Sequence, residues 1–146
     1  MRNRRKRPNR KGASIVEFAM LSPILVLLIL GTIDLGQYIN VSQAVSNASR
    51  EGALVAARYE TTSSSQVDSA VRNYMTGVYP GAAQAMMGDA LQISTSGGDG
   101  GSIGDVDAGD SVSVTVSVNY DSIRWLSGLG FLGGKTLSSQ TIMRKE

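Results

Sequence analysis

Residues 18–33 read FAMLSPILVLLILGTI, sixteen positions without a charge. Carried back to residue 13, with Glu17 as its one charge, the stretch reaches twenty-one. A helix needs about 20 largely apolar residues to cross a bilayer. The run therefore predicts a transmembrane helix over residues 13–36, with Asp34 closing its apolar part. Pro23 lies inside it, and membrane helices tolerate proline, often with a kink. Beyond the run the pattern changes. Val41, Val45, Ala48, Gly52, Val55 and Tyr59 recur at steps of three or four, which places them on one face of a helix. Ser42, Ser46, Asn47 and Arg50 fall largely elsewhere. Unbroken from residue 13 to about residue 58, such a helix measures roughly 70 Å at 1.5 Å per residue.

Polar residues 61–65 interrupt this periodicity. A short second helix is expected over residues 65–75, with Val67, Ala70, Val71 and Tyr74 on one face. Tyr79-Pro80-Gly81 reads as a turn, and residues 82–87 as a further helical turn in which Met86 and Met87 serve packing. Residues 90–96 read as a strand. In residues 111–119, Val112, Val114, Val116 and Val118 alternate with Ser113, Thr115 and Ser117. That is strict period two, a strand with one buried and one wet face. A third, more polar strand over residues 136–144 belongs nearer an edge. Helices followed by strands indicate an α+β fold, in which the long helix packs on a small antiparallel sheet.

Charge divides the chain in the same place. Residues 1–11 carry seven cations and no acid, whereas the remainder has seven cations against twelve acids, a net of −5. A basic segment of this kind can bind nucleic acid, but it abuts an apolar run and lacks interleaved aromatics. The positive-inside rule then places the N-terminus in the cytoplasm and residues 37–146 outside. A cleaved secretory signal is the rival reading, but GTIDLGQYIN after the apolar run offers no small-x-small cleavage site.

The chain contains neither cysteine nor histidine, which removes disulfides and Cys- or His-based catalysis and metal ligation. No Ser–Lys or paired-carboxylate arrangement stands out for an anchored hydrolase, and no cofactor is implied. In residues 96–110, Asp99, Asp105, Asp107 and Asp110 sit among six glycines. Their spacing fits neither an EF-hand nor a repeated Gly-Asp array, so the segment reads as a flexible connection, with calcium as the weaker alternative. Residues 123–131, with Trp125 and Leu126, form an apolar loop that either caps the core or offers a contact surface.

The string Arg10-Lys11-Gly12-Ala13-Ser14-Ile15-Val16-Glu17-Phe18 resembles a prepilin peptidase recognition site: a basic leader ending in glycine, then an apolar helix with glutamate at its fifth position. The resemblance implies cleavage between Gly12 and Ala13, which places Glu17 fifth and Phe18 sixth. Ala48-Ser49-Arg50-Glu51-Gly52-Ala53 and Gly31-Thr32-Ile33-Asp34-Leu35-Gly36, together with Pro23, resemble the TadE-like family of minor pilins or pseudopilins of the tight adherence (Tad/Flp) system. The resemblance covers residues 12–58. That family often has a second arginine after Gly-Ala, where this chain has Leu54, with Arg58 one turn later.

The resemblance implies a type IV pilin-like architecture and a structural role, not an enzymatic one. A basic cytoplasmic leader (residues 1–12) precedes the membrane helix, and an extracytoplasmic domain (residues 37–146) comes after it. The implied partners are the cytoplasmic membrane, a prepilin peptidase, other pilin subunits and the pilus assembly platform. Glu17 then pairs with the new α-ammonium of a neighbouring subunit, since a charge among apolar helices needs a partner. Its other reading is a helix-start residue in the headgroup layer. Gly31, Asp34, Gly36, Arg50, Glu51 and Gly52 are the further candidates for subunit assembly. Small residues, Ala44 and Ala48 among them, let helices approach closely, and Arg50 and Glu51 otherwise form a solvated face. The alternative function is an uncleaved, membrane-tethered binding or sensing domain, which needs neither cleavage at Gly12 nor Glu17.

Overall fold

The computed structural model describes residues 10–58, 60–97, 100–124 and 132–146, with residues 10 and 11 in backbone alone. The cations of residues 2–7, Tyr59, Asp99, Trp125, Leu126 and Phe131 lie outside the described residues.

Helix α1 spans Arg10–Ala57, 48 residues with Pro23 inside, or about 70 Å at the ordinary rise. Its two halves differ in character. Consecutive residues from Ile24 to Ile29 are each half exposed or more, so no face of this half is covered by the rest of the chain. The hydroxyls of Ser22 and Thr32 turn back onto the main-chain oxygens of Ala19 and Leu28, which removes them from the apolar surface. From Val41 onward burial follows the helical period. Val41, Ala44, Val45, Ala48, Ala53 and Ala56 are buried, whereas Ser42, Asn47, Arg50 and Leu54 are exposed. The expected face of Val41, Val45, Ala48 and Gly52 is thus the packed one. The end of α1 is closed from outside the helix. Thr61 Oγ1 donates to the Val55 oxygen at 2.6 Å, and the Glu146 N–H donates to the Ala57 oxygen at 2.9 Å.

Helix α2, Ser64–Val78, buries Val67, Val71 and Met75, a stripe at steps of four. Gln66 Oε1 accepts from the N–H groups of Thr62 and Ser63 at 3.2 and 3.4 Å, satisfying donors that a helix start leaves open. Arg72 ties α2 to the next helical segment. Its Nε meets Asp68 Oδ2 at 2.7 Å and its Nη1 donates to the Met86 oxygen at 2.8 Å. A 3-10 turn at Pro80–Ala82 leads into α3, Ala83–Met87, which buries Met86 and leaves Met87 exposed.

Three strands complete the fold: β1 (Leu91–Gly97), β2 (Ser111–Asn119) and β3 (Thr136–Arg144), antiparallel in the order β1-β2-β3. Leu91 pairs with Val118 and Gly97 with Val112, while Ser111 pairs with Arg144 and Asn119 with Thr136. Val112, Val114, Val116 and Val118 are fully buried on the face packed against α1, as strict alternation requires. β3 is an edge strand, and its polarity has a second cause. Ser49 of α1 is fully buried, and its Oγ lies 2.8 Å from Thr141 Oγ1 and 3.1 Å from Ser139 Oγ. The helix and the edge strand therefore meet partly through hydroxyls. Within the Gly/Asp connection between β1 and β2, a 3-10 turn at Ile103–Asp105 buries Ile103, whose main-chain oxygen accepts from the buried Lys145 Nζ at 2.8 Å.

Gly52 shows why this half of α1 is built from small residues. A Cβ there would lie 2.7 Å from Val71 Cγ2 and 3.0 Å from Val114 Cγ1, whereas at Gly77 of α2 it would meet nothing within 4 Å. Gly52→Ala is expected to lose stability, because overpacking costs about 1–3 kcal/mol and outweighs the roughly 0.5–1 kcal/mol that alanine gains in a helix. Gly77→Ala has only the gain. Thermal unfolding of the detergent-solubilised full chain should therefore move the two midpoints in opposite directions.

Candidate functional site

The apolar run of α1 ends at Asp34, and the helix turns this residue toward the domain rather than away from it. Asp34 is 2% exposed. A buried carboxyl group needs hydrogen-bond donors, and the segment after β2 provides them. The Tyr120 hydroxyl lies 2.9 Å from Asp34 Oδ1 and 3.1 Å from the Asp34 main-chain oxygen, both acceptors for its proton. The Leu132 N–H points to Oδ2 at 3.4 Å. One turn further along α1, the Tyr38 ring meets the Tyr120 ring edge-on, with centroids 5.4 Å apart and planes at 80°, a favoured aromatic geometry. Beside them Gln37 Nε2 donates to the Ile123 oxygen at 3.1 Å.

Tyr120 reaches this position because it continues the β2 alternation. Val112, Val114, Val116, Val118 and Tyr120 share parity, and all are buried. That continuation is the signal in the sequence that could have identified it. Burial, followed by the bond to Asp34, pushes the Tyr120 phenol up to about 12 from its ordinary value near 10. Nothing comparable in the sequence marks Arg124. It forms an ion pair with Asp121, Nε to Oδ1 at 3.2 Å, and its side chain is 9% exposed.

The other expected site residues lie apart from this cluster. Glu17 and Phe18 are exposed on the uncovered half of α1, and Gly12 and Ala13 belong to the same helix. Gly31 is half-buried, and Gly36 is open, with nothing within 4 Å of a Cβ. Arg50 and Glu51 are exposed, with no ion pair among the described residues. Gly52, Ala44 and Ala48 face the core of their own chain. Residues 123 and 132 bracket the apolar loop, and both turn inward: Ile123 is buried and Leu132 half-buried against the core. Asp105, Asp107 and Asp110 are exposed, and among the described residues no three acids gather as a metal site.

Taken together, the molecule is an α+β protein whose one long helix is bare and apolar over its first half and packed on a three-stranded sheet over its second. The bare half is long and apolar enough to cross a membrane. The model of the TadE-like protein family matches residues 12–54, a segment that holds the Gly12 to Phe18 string, Asp34, and Arg50 to Gly52. The matched segment is 43 of the chain's 146 residues and lies within α1. No curated protein and no solved structure matches the chain.

Tyr120→Phe removes a donor from the buried Asp34 and is expected to cost about 1–3 kcal/mol, read as a lower unfolding midpoint of the full chain. The pH dependence has a definite sign. A phenol held protonated in the folded state contributes stability that is complete below pH 10 and is lost as the pH rises through about 12. Absorbance titration should therefore find Tyr120 still protonated at about pH 11, and the stability of wild type should fall toward that of Tyr120→Phe above this range.

Proposed function

We propose that the chain is a minor pilin or pseudopilin-like subunit that assists assembly of a Tad/Flp-type pilus. A prepilin peptidase cuts between Gly12 and Ala13, residues 13–36 span the cytoplasmic membrane, and residues 37–146 form a type IV pilin-like domain on its outer side. The observation that carries this reading is the division of α1. Twelve large apolar side chains from Ile15 to Ile33 are exposed, each worth roughly 1.5–3 kcal/mol on full burial. So large an uncovered surface requires lipid, or the helices of other subunits, as its solvent. The family match over residues 12–54 takes in the Gly12 to Phe18 string at the start of that same helix, which supports the reading.

The mechanism rests on charge. Cleavage removes the seven cations of residues 1–11 and creates one α-ammonium at Ala13. Glu17 lies one turn along the helix in a lipid-facing position, where an unpaired carboxylate is expensive. The ammonium of a neighbouring subunit neutralises it and sets the axial register between them. Gly31, with Ile24, Leu27, Leu28 and Leu35, lines a shallow apolar notch on the bare half into which a neighbouring helix fits. Arg50 and Glu51, exposed higher on α1, remain open to other subunits or to the assembly platform.

The test is the N-terminus of the mature protein, read by intact mass and terminal sequencing from membranes of a host with its own prepilin peptidase. A chain starting at Ala13 is expected. Gly12→Leu should retain the leader, and Glu17→Ala should insert but fail to assemble. A wild-type chain that keeps its leader in the membrane would instead establish the uncleaved tethered domain. Normal pilus assembly by both variants would sink the pilin reading.

A further inference from the structure

A cleft of about 840 Å³ opens beside the Asp34 cluster, lined by Val78, Tyr79, Gln84, Ser122, Ile123 and Arg124 among others. Arg124 is its only charged lining residue among the described residues. The Arg124 side chain is 9% exposed, and its Nε and Nη1 are buried with no hydrogen-bond acceptor among the described residues. Asp121 neutralises part of its charge at 3.2 Å without satisfying those donors. Asp121 also accepts from the Gly134 N–H through Oδ2 at 2.7 Å. Buried donors without acceptors cost on the order of 1–3 kcal/mol each, which favours an acceptor that reaches them from the cleft.

The position of the cleft identifies the anion. Ile123, the residue before Arg124, accepts from Gln37, three residues beyond Asp34 where the apolar run of α1 ends. Tyr79, another lining residue of the cleft, also lines a smaller hollow with Ile33, Gly36, Gln37 and Asn40. The cleft therefore stands at the height where α1 leaves its apolar segment, the depth at which lipid phosphates lie and at which tyrosine and arginine anchor. A guanidinium presents paired N–H donors that match two phosphate oxygens.

We propose that this cleft binds the phosphate of a phospholipid headgroup in the outer leaflet, with Arg124 as its donor and Tyr79 against the glycerol region. The proposal rests on the membrane-spanning reading of residues 13–36. It gives the underside of the domain a lipid contact that holds it against the bilayer before assembly.

Three measurements test it on the full chain. Native mass spectrometry of protein released from phosphatidylglycerol–phosphatidylethanolamine nanodiscs should show one retained phospholipid in wild type. Arg124→Gln should lower that fraction about tenfold, the consequence of losing one charge-assisted bond, and Arg124→Lys should restore part of it. Equal retention by Arg124→Gln and wild type would overturn the proposal. Should Arg124→Gln fail to fold, a photo-crosslinking residue at Ser122, exposed and lining the cleft, decides in membranes: a lipid adduct supports the proposal, and a protein adduct refutes it. Carbonate extraction separates the two levels. Wild type that leaves the membrane defeats the spanning reading itself, whereas wild type that stays without lipid at the cleft defeats only this inference.

Discussion

A single buried carboxyl group joins the two halves of the molecule. Asp34 sits where the apolar run of α1 ends, and its oxygens are held by Tyr120 and by the main chain at Leu132. Without those donors the carboxyl group would have to be solvated, and the helix would have to turn this face toward water or headgroups. With them, the segment after β2 is tied to a fixed rotation and height on α1. The Tyr38–Tyr120 contact and the Gln37–Ile123 bond extend the attachment one turn further along the helix. The packed half, with its alanines and Gly52, then allows the sheet to approach closely along the remaining length.

Much of this architecture is legible in the sequence, for identifiable reasons. The β2 valines alternate without exception, and that strand is expected and observed over Ser111–Asn119. The third strand is likewise an edge at Thr136–Arg144. The expected span of α2 is shorter than the observed one at both ends, because Ser64 and Gly77 are weak helix formers, retained in a helix whose stripe is already buried. Sequence alone does not supply contacts across large separations. Asp34 reads as the end of an apolar run, and only the fold brings Tyr120 to it across 86 positions. Gly52 and the neighbouring alanines suit close helix packing in general, but the sequence does not state whether the neighbour is another subunit or Val71 and Val114 of the same chain.

The candidate residues fall into two groups by surroundings. Of those in the first half of α1, Glu17, Phe18 and Gly36 are presented outward, Gly31 is half-buried and Asp34 is buried. Those of the packed half divide again: Gly52 faces inward, while Arg50 and Glu51 stay at the surface. The Ala-x-Arg-Glu-Gly-Ala string therefore combines a packing constraint with an exposed charge pair, two demands that happen to fall next to each other on one helix.

The long-range stitching between α1 and the C-terminal strand also sets an order of events during synthesis. Ser49 is joined to Thr141 across 92 positions, and the Ala57 oxygen at the end of α1 accepts from Glu146. The packed half of α1 thus emerges from the ribosome well before β3, the last described element, is made to cover it. Such non-local closure is slow and leaves surface open to mispairing. A waiting face in which alanine, glycine and serine outnumber the valines at 41 and 45 presents less apolar surface than one of leucine. The small side chains that permit close packing in the finished domain also keep the nascent helix from capturing the wrong partner.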